Sequence, residues 1–313
     1  MFLGWMLAIM PELTSEPLIS CTQTNAGDVS GRGILYCVAT PIGNLEDMSE
    51  RARRVLGEVD KIYAEDTRVT RRLLTHFGIQ NTLASLHDYN EAARIDAVQQ
   101  ELAQGLNIAL VSDAGTPLIS DPGYKLVHAL GLVGYKIVPI PGASALIAAL
   151  SVAGLPTDRF AFEGFLPAKP STRRKALESL ADETRTLVFY ESSHRIADML
   201  QDLAQVFGDQ RQAVVLRELT KFYESIYRGA LADLVVNIAS DADMSRGEFV
   251  VVVAGKVADA DSDQLNVLAA DKVLRILLED LPVKQAAAIA AKLTGLPKNQ
   301  LYKQALAMDA LLP

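Results

Sequence analysis

Cysteine is scarce: Cys21 and Cys37 are the only two among 313 residues. Two thiols supply no disulfide framework, which excludes a cross-linked secreted scaffold and suits a reducing, cytoplasmic compartment. Long apolar runs are missing too, and none reaches the roughly 18 residues of a membrane span. Met1–Met10 is apolar but has no basic flank before it, so no signal peptide is expected. Positive charge is in deficit. The 30 Lys and Arg against 38 Asp and Glu leave a net charge of −8, which argues against coating nucleic acid through overall charge. His76, His87, His128 and His194 show no paired metal-ligand spacing, and His87–Asp88 reads as a loop or surface pair. Neither a Gly-rich dinucleotide fingerprint nor a phosphate loop ending in Gly-Lys-Ser/Thr is present, which disfavours a polyphosphate ligand.

What the chain does have is core-forming material. Half of its residues are hydrophobic, so a wholly disordered protein is excluded and about two domains are expected. Residues 1–32 read as a disordered arm to which no function is assigned. From Gly33 onward short apolar strands alternate with amphipathic helices. The expected strands are Ile34–Ala39, Lys61–Ala64, Thr82–Leu86, Asn107–Ser112, Tyr135–Pro139, Arg185–Tyr190, Gln212–Arg217 and Glu248–Ala254. Ser49–Leu56, Glu91–Gln104 and Arg195–Phe207 read as helices between them. This alternation predicts α/β layers on a mainly parallel sheet. Breaks near Pro139–Ser144 and after Lys256, where Asp259, Asp261 and Asp263 form an acidic linker, divide the chain. The expectation is an α/β domain at 33–141, a second at 142–257, and a helical tail at 265–313.

Most of the polar loop information follows strands, where ligands bind in parallel α/β sheets. Three loops stand out: Ala39–Asn44 (ATPIGN), Ser112–Gly123 (SDAGTPLISDPG) and Pro141–Ser144 (PGAS). Glycine permits close backbone approach and proline fixes shape in advance, while Asp113 offers an acceptor for a hydroxyl or amine. Any one of these would pass as an ordinary strand-to-helix turn. Three in succession favour a small-molecule site.

The segments VATPIGNLEDMS, AEDTR, SDAGTPLISDPG, PGASA, FYESSHR, RELTK and GEFVVVVAG resemble the tetrapyrrole-methylase superfamily. More narrowly they resemble the ribosomal RNA small subunit methyltransferase I family, from about Gly33 into the tail. That resemblance implies two α/β domains with S-adenosyl-L-methionine in the cleft between them. The cofactor would lie against Pro41, Asp113, Thr116, Ser144 and Ala145. It also implies methylation of a decoding-centre cytidine of 16S ribosomal RNA at its ribose 2′-oxygen, and a homodimer.

Methyl transfer from a sulfonium is an in-line displacement that requires no metal and no covalent enzyme intermediate. A ribose hydroxyl is a poor nucleophile, so a base or an electropositive setting should assist loss of its proton. Three charged segments follow strands: Glu65–Arg68, Glu191–Arg195 and Arg217–Lys221. Asp66, Glu191 or Glu218 would accept the proton, and His194 is of the residue type that titrates near neutrality. Lys221, Arg68, Arg195 and Arg217 would orient phosphates or stabilise developing oxyanion charge. The plain alternative is that these groups pair with one another and hold the loops.

Local basic clusters offset the negative total. Lys169, Arg173, Arg174 and Lys175 lie in Pro167–Lys175 without an acid and are read, with Arg68 and Arg195, as RNA contacts. Arg51, Arg53 and Arg54, and Arg68, Arg71 and Arg72, form two further clusters that fit solvated helix faces equally well. Val267–Asp280 and Val283–Ala307 read as helical, the latter interrupted at Gly295 in the manner of a helix-turn-helix. Tyr223 and Tyr227 are expected to pack in a core rather than to stack on bases. Two rival functions are a tetrapyrrole methylase using the same loops and a non-catalytic nucleic-acid-binding regulator.

Overall fold

The computed structural model describes residues 31–240, 246–257, 270–294 and 296–309. The expected arm and acidic linker lie outside them, apart from residues 31, 32 and 257. The described chain divides into two compact units: 31–39 with Ser49–Pro141, and Thr40–Met48 with the residues from Gly142 on. Thr40–Met48, expected within the first domain, thus groups with the second. Its Ile42 packs among Leu146, Val188, Leu216 and Val250.

The first unit contains β1 (Ile34–Val38), α1 (Glu50–Glu58), β2 (Lys61–Ala64), α2 (Thr67–His76), β3 (Leu83–Ser85), α3 (Glu91–Ala103), β4 (Ile108–Val111), α4 (Tyr124–Leu132) and β5 (Lys136–Ile140). Its strands form one parallel sheet in the order β3-β2-β4-β1-β5. The central β4, Ile-Ala-Leu-Val, is buried at every position. An unbroken apolar run suits a parallel strand covered on both faces. Pro139, which has no N–H to give a ladder, sits on the edge strand β5 opposite Cys37. Burial pushes the Cys37 thiol up to about 11, leaving it un-ionised at neutral pH.

The second unit contains α5 (Ala145–Ala153), β6 (Phe160–Phe165), α6 (Pro170–Glu178), β7 (Thr186–Ser192), α7 (Ile196–Phe207), β8 (Gln212–Arg217), β9 (Ser225–Ala230), α8 (Leu231–Ser240) and β10 (Glu248–Val253). Its sheet order is β6-β7-β10-β8-β9. Only β6 and β7 run parallel; β10 is antiparallel to both its neighbours and β8 to β9. The mainly parallel expectation therefore holds for the first sheet and fails for the second. Residues of β10 alternate between two cores. Phe249, Val251 and Val253 pack with Leu187, Phe189 and the helices α7 and α8. Val250 and Val252 pack with Val188, Val214 and α5.

Two strands escaped the sequence pattern. β6 (FAFEGF) carries a register shift between Phe162 and Gly164, and β9 (SIYRGA) is mostly half-exposed. Both are edge strands, where burial no longer imposes an apolar alternation.

Among the described residues the tail forms three helices: α9 (270–278), α10 (Val283–Thr294) and α11 (Lys298–Asp309). Ala270, Ala286, Ala287, Ala290 and Ala305 are buried with Leu274 and Leu301, so short side chains let the helices pack closely.

Candidate active site

In the first unit the functional loops follow the neighbouring strands β2 and β4, in which Ala64 stands opposite Val111. Asp66 N-caps α2: its carboxylate accepts from the Arg68 N–H at 2.8 Å and pairs with the Arg68 guanidinium at 2.5 Å. Hydrogen bonds from Arg68 hold the Asp66 carboxyl well below the usual carboxylate range. The Asp66 N–H in turn donates to Asp113 Oδ1 at 2.9 Å, tying the two loops together.

The Ser112–Gly123 loop is conformationally costly. Leu118 (φ 73°) and Ser120 (φ 67°) occupy the left-handed region without being glycine, which is unfavourable by about 1–3 kcal/mol each. Gly123 (φ 123°) ends it where an added Cβ would stand 2.8 Å from Leu110. Having no side chain, Gly123 cannot cap α4; the buried Glu91 of α3 does so, accepting from the Leu126 N–H at 3.0 Å. Thr116 sits half-buried in a turn closed by a 3.4 Å bond from the Ile119 N–H to its carbonyl. Burial, followed by the neighbouring Glu65 and Asp113 charges, pushes the Asp121 carboxyl up to about 6 despite its bond with Ser112. Burial and the Asp113 charge likewise raise Glu65. No role was assigned to Glu65 or Asp121 from sequence, because their perturbation arises from loops that meet only after folding.

In the second unit Pro41 and Ile42 are half-buried. Ser144 N-caps α5 by position but makes no side-chain cap bond. The Tyr190 hydroxyl accepts from the Leu146 N–H at 3.0 Å instead. Ser144 and Ala145 therefore stand at a helix start whose cap is supplied from β7.

The Arg217–Lys221 loop leaves β8 through two left-handed residues, Glu218 (φ 52°) and Thr220 (φ 67°). Lys221 Nζ lies 2.8 Å from Glu218 and 3.0 Å from Glu248, and Glu218 Oε1 also accepts from the Glu248 N–H at 2.9 Å. Burial alone would lower the Lys221 ammonium and raise the Glu218 carboxyl. The carboxylates outweigh burial at Lys221, and Lys221 with the Glu248 N–H outweighs it at Glu218, so both groups are held charged. A Cβ at Gly43 would stand 2.3 Å from Lys221 Cγ, so only glycine lets the 40–48 segment lie against this side chain.

Glu191 is separate from that cluster. Its side chain is fully buried; Oε1 accepts from the Ser192 N–H at 2.8 Å, and Oε2 lies 3.2 Å from Arg195 Nη2. Arg195 also donates to the Leu166 carbonyl at 2.6 Å. Glu191 and Arg217 both stand opposite Phe249 in the sheet, which brings the two motifs to one end of it. Of the four candidate catalytic residues, folding joins Glu218 to Lys221 directly, places Glu191 at the same sheet end, and puts Asp66 in the other unit.

The basic candidates sort by exposure. Arg68 is 85% exposed, and Lys169 and Lys175 face solvent. Arg174 is half-exposed and donates to Asp202 at 3.1 Å. Arg173 corrects the sequence expectation: it is 2% exposed and its Nε donates to Asp202 on α7 at 2.6 Å. A guanidinium so enclosed is not presented to phosphate. The segment that holds no acid in sequence finds one 29 residues away in the fold. Of the second cluster, Arg54 pairs with Glu58 and Arg53 lies over the Phe77 ring at 4.9 Å. Tyr227 packs on a core as expected, whereas Tyr223 is 67% exposed.

Residues 34–235 match the model of the tetrapyrrole (corrin/porphyrin) methylases, and residues 266–309 match the RsmI C-terminal HTH domain. The ribosomal RNA small subunit methyltransferase I of Xylella fastidiosa (strain Temecula1) is 53% identical over 88% of this chain and 99% of its own length. The protein of that name from Pseudomonas aeruginosa is 52% identical over 88% and 97%. Among solved structures, diphthine synthase superposes with a TM-score of 0.54 at 17% identity, covering 72% of this chain and 90% of that one. The methyltransferase CobJ gives 0.53 at 21%, covering 72% and 97%. These distant structures share the fold alone. Identity above one half along nearly the whole length of the bacterial relatives, with both domain models matched in order, shows that this chain belongs to the tetrapyrrole methylase family, in its ribosomal RNA small subunit methyltransferase I branch.

Proposed function

We propose that this chain is an S-adenosyl-L-methionine-dependent 16S ribosomal RNA methyltransferase that modifies the ribose 2′-oxygen of a decoding-centre cytidine, cytidine 1402. The substrate class rests on the relatives' names; the observation that carries the chemistry is the Glu218–Lys221–Glu248 cluster. When bound, the cofactor supplies an electrophilic methyl on a sulfonium. Pro41, Asp113, Thr116, Ser144 and Ala145 would hold it. The residues fit that group. Asp113 and its neighbours Glu65 and Asp121 offer acceptors and negative charge to an ammonium and a ribose diol. The Ser144 hydroxyl, not spent on capping, is available to a polar ligand group.

Lys221, held as a cation, lowers the proton affinity of a nearby sugar hydroxyl and stabilises the developing oxyanion. Glu218 orients Lys221 and offers a carboxylate to the departing proton. Glu191 fixes Arg195 and the β7 end of the site. Asp66 is tied up as a helix cap and held at low proton affinity, which disfavours it as the base. Arg68, Lys169, Arg174, Lys175 and Arg195 would meet phosphates, within a small ribosomal subunit. The same reading makes the protein a cytoplasmic homodimer. No described helix is long and apolar enough to cross a membrane.

The test offers labelled cofactor with small subunits from cells lacking this gene, and in parallel with a free tetrapyrrole. Label at a ribose 2′-oxygen of 16S RNA is expected. Label on the tetrapyrrole alone, or none on either, overturns the reading.

A further inference from the structure

Phe222 and Tyr223, directly after Lys221, are 91% and 67% exposed. Their ring centroids lie 5.0 Å apart with planes at 86°, so the pair meets edge to face and forms a corner. The corner is rigidly mounted. The Tyr223 carbonyl accepts from Arg217 Nη1 and from Ser225 Oγ, each at 3.3 Å. The Thr220 N–H donates to Glu224 at 2.7 Å, and the Lys221 N–H to the Glu218 carbonyl at 3.0 Å. An aromatic pair left in water on a braced, strained turn, directly after Lys221 in sequence, is not explained by core packing.

We propose that Phe222 and Tyr223 form a stacking platform for one unpaired nucleobase of the RNA strand, positioning the nucleotide for the reaction at Lys221. This rests on the RNA reading of the function above. Single-stranded bases are commonly recognised by stacking on exposed aromatic faces beside a cation that meets the backbone. Patch size favours a base over a protein partner. Two aromatic rings offer at most about 300–500 Å², well below the roughly 800 Å² per partner of a stable interface. Charged Lys221 and Glu224 bound the patch on both sides in sequence.

Methylation of small subunits is compared for wild type, Phe222→Ala/Tyr223→Ala, Phe222→Leu/Tyr223→Leu and Phe222→Trp, with cofactor affinity measured calorimetrically on each. The Ala and Leu pairs should raise the KM for RNA roughly tenfold, Trp should retain wild-type values, and cofactor affinity should not move. Independently, Phe222→Trp in a Trp5→Phe background carries a single tryptophan. Its emission should quench on a cytidine-containing single-stranded RNA and less on the same strand with the base removed. An unchanged KM in the Ala pair, rescue by Leu, or equal quenching by the abasic strand overturns the platform. Dissociation of a dimer in the Ala pair also overturns it and assigns the corner to a second copy of this chain. If wild type leaves ribosomal RNA unmethylated, the enzymatic reading fails separately and the platform is judged on quenching alone.

Discussion

Arg173 on α6 and Asp202 on α7 are joined at 2.6 Å with side chains only 3% and 7% exposed, and Asp202 also receives Arg174 from the same helix. One buried carboxylate thus fixes a helix whose outer residues, Lys169 and Lys175, remain in water. Removing one member of a buried pair strands the other charge, which costs about 3–5 kcal/mol. Arg173→Ala should therefore lower stability to urea by that amount. Replacing both partners by apolar residues of similar volume should restore most of it. A loss below about 1 kcal/mol would show that the pair is solvated after all.

Lys169, Arg174 and Lys175 should act on affinity rather than on folding. Each phosphate neutralised contributes to the salt dependence of binding. The triple alanine variant should bind small subunits with a flatter slope of log K against log salt and nearly wild-type thermal stability. An unchanged slope removes this face from the RNA contact.

Gly43 is a sharp probe of the catalytic cluster because its missing side chain leaves room for Lys221. Gly43→Ala forces the Lys221 stem aside. Displacement by about 1 Å at a reacting centre costs on the order of a hundredfold in rate. Single-turnover methylation by the folded variant should fall toward that extent, with a lowered melting temperature because the added Cβ overlaps the Lys221 stem. Wild-type rates would separate Lys221 from the chemistry.

Glu218→Gln and Lys221→Met should each slow single-turnover methylation by roughly a hundredfold or more. Asp66→Asn should stay near wild type, since asparagine caps a helix as well as aspartate does. Near-wild-type rates for Asp66→Asn, Glu191→Gln and Glu218→Gln alike would reject an essential acidic group.

Asp121 predicts a pH dependence of stability. Its carboxyl is raised from 3.8 to about 6 on folding, chiefly by burial. The unfolded chain therefore gives up this proton first, so the contribution is fully present below pH 4 and is lost as pH rises to about 6. Asp121→Asn should flatten that window and stabilise the protein at pH 7 by about 1 kcal/mol, allowing for solvent screening. Urea titrations of both proteins between pH 4 and 7 check the sign.

Much of this molecule was already determined by the order of its residues. The continuous apolar runs at β1, β4 and β10 specify buried strands because burial on both faces leaves no place for polar side chains. The Gly/Pro-rich turns after strands are legible because left-handed and closely packed backbone is a local demand. Edge strands β6 and β9 carry no such demand and were not legible. The antiparallel course of β10 between β7 and β8 was hidden as well, since a strand buried on both faces reads the same in either direction. Only tertiary structure gave Arg173 its acid from α7 and set Gly43 against Lys221. It likewise pushed up Asp121, chiefly by burying it and then by gathering carboxylates from separate loops, and left Phe222 and Tyr223 in water. Each of these depends on groups far apart in the chain meeting at contact distance, and charge, burial and proton affinity are properties of that meeting.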